Sequence, residues 1–155
     1  MRDLHKLSVE IFLQLVSKNF EVARANASVQ PSRKDELGMY LREQWYLLHP
    51  KPELLNDPDP IGRLDVSILQ NHLLGPLLGV DDPRTSNRIE FVGGIRGVTE
   101  LERKVNSREM AVAFSLYPTS IDELFAIADA GKIMPPKSTW FEPKLRDGIV
   151  VHMLE

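Results

Sequence analysis

The sequence contains no cysteine, and it also lacks long apolar runs and blocks of charge of one sign. Without cysteine there is no disulfide, no zinc site built on thiolates and no cysteine nucleophile, which suits a reducing compartment. No apolar stretch approaches the roughly 18 residues that a membrane span requires. The opening MRDLHKLSVE has no apolar region of the kind found in signal peptides. We therefore expect a soluble cytoplasmic protein with no membrane partner.

The charges are balanced and well mixed, with 19 basic and 22 acidic residues and a net charge of −3. A chain without a basic patch lacks the electrostatic footprint of a DNA-binding or RNA-binding module, so no nucleic-acid partner is predicted. The length of 155 residues, of which 43% are hydrophobic, suits a single domain that can bury a core without disulfides or structural metal ions.

Catalytic and metal-binding motifs are also missing. His5, His49, His72 and His152 are scattered and have no partner at ligand spacing, so no metal site is predicted. There is no G-x-S-x-G nucleophile motif. Asp65 and His72 would share one helix face, since they lie close to two turns apart, but a helix cap and a partly buried histidine are the commoner roles. Whether the chain is an enzyme stays open, and no cofactor is indicated.

The first half of the chain alternates helix, strand and hairpin. Apolar residues at helical spacing follow Ser8, a good N-cap, and FEVARA then reads as a strand. Residues 26–36 lack periodicity and predict an exposed loop. Two aromatic-rich runs around Arg42-Glu43-Gln44 predict a β-hairpin, and the proline-rich residues 49–62 predict a loop with one short turn.

The second half begins with a predicted helix over residues 64–78, with Asp65 as N-cap and Pro76 as a kink or stop. The stretch RIEFVGG then predicts a strand that runs into glycines. Thr99 and Glu102 have the spacing of a capping box and predict a short helix that ends at about Val105.

The last part contains a fourth predicted helix between two strands. The run MAVAFSLY predicts a strand buried on both faces, and GIVVHML predicts a strand that closes the chain. Between them, Ser120 and Glu123 form a second capping box, and Gly131 is the expected residue after the helix C-terminus. The pattern predicts an α+β fold, a mixed sheet with flanking helices in a single domain.

The stretch GKIMPPKST resembles a phosphate-binding loop, but Pro136 stands where the second glycine belongs. Pro135 and Pro136 have no N–H to donate, and the stretch follows the C-terminal end of a predicted helix, where the dipole is negative. We therefore interpret the match as false.

The longer stretch PPKSTWFEPKLRDG is a different kind of candidate, because it displays cations and hydroxyls on a segment stiffened by proline. Such a loop suits an anionic small molecule. The alternative is a solvated turn anchored by Trp140 and Phe141. The candidate binding residues are Lys137, Ser138, Thr139, Lys144 and Arg146.

The stretch EFVGGIRGVTELE is the better phosphate candidate. A predicted strand, a glycine-rich turn and a helix follow one another, so the first helical turn would offer free N–H groups beside an arginine. Ordinary turn chemistry is the alternative, and Glu100 and Glu102 are expected to compete with an anion for the same helix end. The candidate binding residues are Gly93, Gly94, Arg96 and Gly97.

The chain resembles the C-terminal part of the bacterial domain-of-unknown-function family 1015, in the blocks GRLDVSILQNHLLGPLLG, RIEFVGGIRGVTELE, AVAFSLYPTS and IADAGKIMPPKSTWFEPKLRDG. The similarity is strongest from Leu64 to Leu154. Family members are longer, and their N-terminal part carries a G-H-H-R motif similar to the G-x-x-R box of the ParB and sulfiredoxin superfamily. That motif is absent here. The resemblance implies that residues 1–155 are the C-terminal domain of a larger protein, whose N-terminal part with the G-H-H-R motif is absent here.

The resemblance also directs attention to both candidate stretches, because GGIRG and MPPKSTWFEPKLR are characteristic motifs of the family. The leading hypothesis is a domain that helps to bind a phosphorylated or otherwise anionic small molecule. The rival is an assembly domain that packs on the absent N-terminal half or on a second subunit in a homodimer. A third hypothesis, a part of an ATP-dependent free-serine kinase, follows only from the superfamily resemblance.

Overall fold

A computed structural model describes residues 1–135 and Ser138, with Ile95 described by its backbone alone. Its centre is a four-stranded sheet with the strand order β1-β3-β2-β4. The strands are β1 Phe20–Ala25, β2 Leu37–Leu41, β3 Gln44–Pro50 and β4 Val112–Leu116. The helices are α1 Val9–Asn19, α2 Asp65–Leu69, α3 Gly97–Asn106 and α4 Ile121–Asp129. A π turn over Gln70–Leu74 continues α2, and short 3-10 turns lie at Pro52–Leu54 and Gly94–Arg96.

The predicted start and end of the first helix are confirmed, and so is the predicted hairpin. The Ser8 hydroxyl accepts the Ile11 N–H at 3.2 Å and so caps α1, which leads directly into β1. In the hairpin, Leu41 pairs with Gln44, and the turn between them holds Arg42 and Glu43 at φ 47° and 62°. Two left-handed residues form a turn whose twist matches that of the flanking strands.

The described sheet is antiparallel throughout, so the prediction of a mixed sheet is wrong, whereas the α+β class and the single domain are confirmed. A parallel pair would have needed a strand–helix–strand crossover. The predicted strand RIEFVGG does not form. Instead, Arg88 binds the Asp3 carboxylate, and Glu90 lies 2.7 Å from the Lys104 ammonium. Side-chain contacts therefore hold this segment, rather than backbone hydrogen bonds to a neighbouring strand.

The sheet separates two hydrophobic cores because alternate side chains point to opposite faces. The larger core packs α1, α2 and the π turn on one face, where Leu48 and Met39 are fully buried. The smaller core packs α3 on the other face, against Tyr40 and Trp45. The strand predicted at MAVAFSLY forms as β4, which buries Val112 in the larger core and Ala113 in the smaller one.

Two predicted caps are wrong. Leu64, not Asp65, precedes the first turn of α2, and the Asp65 carboxylate instead accepts the Asp35 N–H at 3.1 Å. The Thr99–Glu102 box does not form, because α3 already begins at Gly97 and the Glu102 carboxylate accepts the Trp45 indole N–H at 2.7 Å. The helical segment after Leu64 ends before Pro76, as predicted.

The capping box of α4 is confirmed. The Ser120 hydroxyl accepts the Glu123 N–H at 3.2 Å, and the Glu123 carboxylate accepts the Ser120 N–H at 2.9 Å. Gly131 follows the helix at φ 65°, as expected for a residue after a helix C-terminus. The predicted strand GIVVHML lies outside the described residues. Among the described residues, none of the helices has both the length and the apolar character of a membrane span.

Candidate functional site

The glycine-rich stretch before α3 forms an exposed turn, which we call the Arg96 turn (Gly93–Gly97). The Arg96 N–H donates to the Gly93 carbonyl oxygen at 3.0 Å, which closes a 3-10 turn. Gly97 has a φ of 62°, which glycine adopts without a Cβ penalty, and it opens α3. The strand expected before the turn is absent. The glycine-rich turn does lead directly into the N-terminus of a helix, as predicted.

The Arg96 turn is open to approach from outside. A Cβ added to Gly93 or to Gly94 would meet no atom within 4 Å. Crowding inside the described structure therefore does not explain why these two positions are glycine. Open space beside a glycine backbone leaves room for a ligand to come close to the peptide N–H groups.

The two acidic side chains near this helix end are engaged with other groups. Glu100 accepts from the Arg103 guanidinium at 2.8 and 2.9 Å, and that guanidinium lowers the pKa of the Glu100 carboxyl. Glu102 is bound to Trp45. Both carboxylates were expected to compete with an anion for the helix end, but each already has a donor within the protein.

A lysine network fixes the segment that leads into the Arg96 turn. The Lys104 ammonium lies 2.7 Å from Glu90, which precedes the turn, and 3.4 Å from Glu109, which follows α3. Lys104 is buried, and its pKa is raised by the bond to Glu90. The turn is therefore held at both ends by α3 and its side chains.

Of the second candidate stretch only Pro135 and Ser138 are described, and of its candidate binding residues only Ser138. Its carbonyl oxygen accepts the Thr119 hydroxyl at 3.0 Å, and its own hydroxyl donates to the Pro135 carbonyl oxygen. Lys137, Thr139, Lys144 and Arg146 lie outside the described residues. That these cations share one cavity with Arg96 stays a prediction.

A charged cleft that the sequence did not predict lies between the loop before β2, the segment before α2, and α4. Its volume is about 160 Å³, and its lining residues are Lys34, Pro60, Arg63, Asp122, Glu123 and Ala126. The Lys34 ammonium lies 2.8 Å from the Glu123 carboxylate. The only signal in the sequence was the charge of these residues, because three distant segments must come together to form the cleft.

Asp65 lies near this cleft and is an unusual carboxyl group. It is 8% exposed, and burial raises its pKa to about 6, with the negative charges of Asp35 and Glu123 adding to the effect. Perturbed carboxyl groups beside clefts are common at functional sites, although structural networks also produce them. Asp35 adopts φ 64° where its N–H meets the Asp65 carboxylate.

Asp65 and His72, which were expected to share one helix face, make no hydrogen bond to each other in the described residues. His72 lies within the π turn that continues α2, and its carbonyl oxygen accepts the Asn19 side-chain amide at 3.2 Å. Within residues 1–135 and Ser138, no group of three or more histidine, aspartate and glutamate side chains is placed to hold a metal ion.

Comparison with known proteins gives one result. Residues 1–67 match the model of a family described as a protein of unknown function, DUF1015. No curated protein and no solved structure matches the chain. The matched range ends inside α2, so it includes the hairpin and Asp65 but not the Arg96 turn or α4. The resemblance over Leu64 to Leu154, and the relations to the ParB and sulfiredoxin superfamily and to free-serine kinases, stay predictions.

Proposed function

We propose that this chain helps to bind a phosphorylated or otherwise anionic small molecule at the Arg96 turn. Gly93, Gly94 and Gly97 let the ligand approach the backbone, and Arg96 supplies the positive charge. In this proposal, the further contacts come from Lys137, Ser138, Thr139, Lys144 and Arg146.

One observation carries the proposal: an exposed arginine stands at the N-terminus of α3, where both nearby carboxylates are engaged with Arg103 and Trp45. The first N–H groups of a helix have no partner within the helix, and the helix dipole adds positive potential there. Together with a guanidinium, these groups match the needs of a phosphate or a carboxylate.

The chemistry of such a site is positioning and charge neutralisation. Neither positioning nor charge neutralisation requires a catalytic side chain. Such a site would therefore serve an incomplete enzyme as well as a binding module. If this chain works within a longer protein, as its resemblance implies, the same turn would serve phosphoryl transfer by neutralising charge on the transferred group.

The proposal is tested by NMR titration of the chain with inorganic phosphate, ATP, ADP and phosphoserine. At least one of these ligands should shift the amide signals of Gly94 to Val98. Arg96→Ala should weaken the affinity about tenfold or more, because a charge-assisted hydrogen bond is lost.

Arg63→Ala is the matched control, since it also removes an exposed arginine but from the charged cleft. An equal loss with Arg63→Ala would refute the location of the site. The absence of any shift at the Arg96 turn with all of these ligands would refute the proposed function.

The assembly function and the kinase function stay predictions. Both depended on the stretch MPPKSTWFEPKLR or on a segment outside this chain. The described residues carry no observation that favours a contact through that stretch over the anion site.

A further inference from the structure

Helix α4 buries Ile127 but leaves two other large apolar side chains exposed. Ile127 is 1% exposed and faces the protein, whereas Ile121 and Phe125 are 68% and 60% exposed. These two residues lie four positions apart, so they are neighbours on one face of the helix, and Ala128 extends that face by one turn. We call the three residues the α4 strip. Contiguous exposed apolar side chains, unlike scattered ones, are typical of interaction surfaces.

One side of the α4 strip is acidic. Asp122 and Asp129 are exposed and lie about two turns apart, so both flank the strip on the same side. Within the described residues, neither makes an ion pair, although Asp122 also lines the charged cleft together with Lys34 and Arg63. The neighbouring charges differ in this respect, because Glu123 binds Lys34 at 2.8 Å and Lys132 binds Asp59 at 2.6 Å.

The helix presents the strip in a fixed orientation. The Ser120–Glu123 box closes its first turn, and the Glu123 bond to Lys34 ties that turn to the loop before β2. On the far side, the buried Ile127 anchors the middle of the helix. A surface held in place before binding loses less entropy when a partner docks.

We propose that the α4 strip docks a segment of a partner protein whose apolar side chains are flanked by lysine or arginine. The apolar side chains of the partner would cover Ile121 and Phe125, and its cations would meet Asp122 and Asp129. The acidic flank argues against an anionic lipid surface. It also argues against a second copy, which would bring carboxylates against carboxylates.

The test uses the full chain, labelled for NMR, and two synthetic helical peptides, one built of leucine and lysine and one in which glutamate replaces each lysine. The leucine–lysine peptide should shift the amide signals of residues 121–129. The leucine–glutamate peptide should bind about tenfold more weakly or not at all, because the flank repels it. Equal binding of the two peptides would overturn the proposal.

Variants of the chain locate the docking site. Ile121→Ser with Phe125→Ser should weaken binding of the leucine–lysine peptide about tenfold or more. Asp122→Asn with Asp129→Asn should weaken binding and remove most of its salt dependence. Ile11→Ser and Asp81→Asn are the matched controls, because they change an exposed isoleucine and an exposed aspartate elsewhere. Controls that weaken binding as much as the strip variants would refute the site.

Two other occupants give distinct results. If the chain's own residues 139–155 cover the strip, their amide signals will shift in the Ile121→Ser, Phe125→Ser variant without peptide. If a second copy covers it, sedimentation will show a dimer that the same variant dissociates. Either result overturns the proposed partner. The Asp122→Asn, Asp129→Asn pair removes no buried group, so it keeps the test valid even if the apolar variant fails to fold.

Discussion

At the scale of single residues, Asp65 is the group whose chemistry the fold changes most. Its carboxyl is buried at the start of α2, receives the Asp35 N–H, and has the negative charges of Asp35 and Glu123 nearby. Burial and like charge both disfavour the ionised form. At neutral pH, the folded chain therefore holds a charge that the unfolded chain would solvate better.

We predict that Asp65→Asn stabilises the protein at pH 7.5 by about 1–3 kcal/mol. The pKa of Asp65 rises from 3.8 to about 6 on folding, so the folded chain binds this proton more tightly. Its contribution to stability is complete below pH ~4 and is lost as the pH rises through 6. Asparagine keeps an oxygen that can accept the Asp35 N–H and carries no charge.

The measurement is chemical denaturation at pH 4.5 and at pH 7.5. The gain from Asp65→Asn should be large at the higher pH and small at the lower one. Asp81→Asn, which changes an exposed carboxyl, should show no such difference. A gain of equal size at both pH values would mean that the ionisation of Asp65 is not its cause.

At the scale of elements, β2 is an inner strand whose neighbours leave no room at Gly38. A Cβ there would lie 2.2 Å from the Ser115 hydroxyl oxygen on β4 and 2.7 Å from the Val29 carbonyl oxygen. These two atoms are themselves joined, because the Ser115 hydroxyl donates to that carbonyl at 2.7 Å. Gly38 thus permits the loop before β2 to close over the sheet.

We predict that Gly38→Ala destabilises the protein by about 1–3 kcal/mol or more, because an added methyl group must displace backbone as well as a side chain. Thermal or urea denaturation measures the change. Gly93→Ala is the matched control and should change the free energy of unfolding by only about 0.5 kcal/mol in either direction, since a Cβ there meets no atom. If the two variants were equally stable, the close packing around Gly38 would be refuted.

At the scale of the whole molecule, Trp45 joins the sheet to α3. Its ring packs in the smaller core against Tyr40, with ring centroids 5.0 Å apart, and its indole N–H reaches the Glu102 carboxylate. Because the Glu102 carboxylate accepts this hydrogen bond, it is engaged with Trp45 and does not compete with an anion at the Arg96 turn. One side chain therefore contributes both to packing and to the electrostatics of the candidate site.

We predict that Trp45→Phe lowers the free energy of unfolding by about 1.5–3 kcal/mol, because it removes a hydrogen bond to a charged group and reduces the buried ring. Denaturation followed by circular dichroism measures the loss. Tyr46→Phe is the control on the opposite face and should cost less, since the Tyr46 hydroxyl makes no hydrogen bond within the described residues. A Trp45→Phe variant as stable as Tyr46→Phe would show that the link to Glu102 contributes nothing.

The features of the fold that could be predicted from the sequence are those whose contacts are local. Ser8 and Ser120 cap helices through contacts three residues away, and the hairpin turn lies within the span of its own strands. The predicted cap at Asp65 and the predicted strand RIEFVGG were wrong. Asp65 binds Asp35, thirty positions earlier, and Glu90 of RIEFVGG binds Lys104 on α3. Local preference cannot reveal partners that only the folded chain brings close.

For the candidate site, too, the local features were predictable and the long-range contacts were not. Glycines before a helical pattern marked the Arg96 turn, but the strand expected before it gave way to contacts with α3. The engagement of Glu102 with Trp45 depends on a partner 57 positions away, which no pattern in the sequence indicates. The charged cleft was missed entirely, because its lining residues come from three separate segments.

The position of β4 has a consequence for the order in which the chain assembles. β2 and β3 are joined by a two-residue turn, whereas the pairing of β2 with β4 closes a loop that contains residues 42–111. Loop closure becomes less favourable as the loop lengthens, and contacts between distant residues slow folding. We therefore expect the hairpin to form early and β4 to join the sheet late. During synthesis, this edge of β2 would stay uncovered until the chain has been extended well past α3.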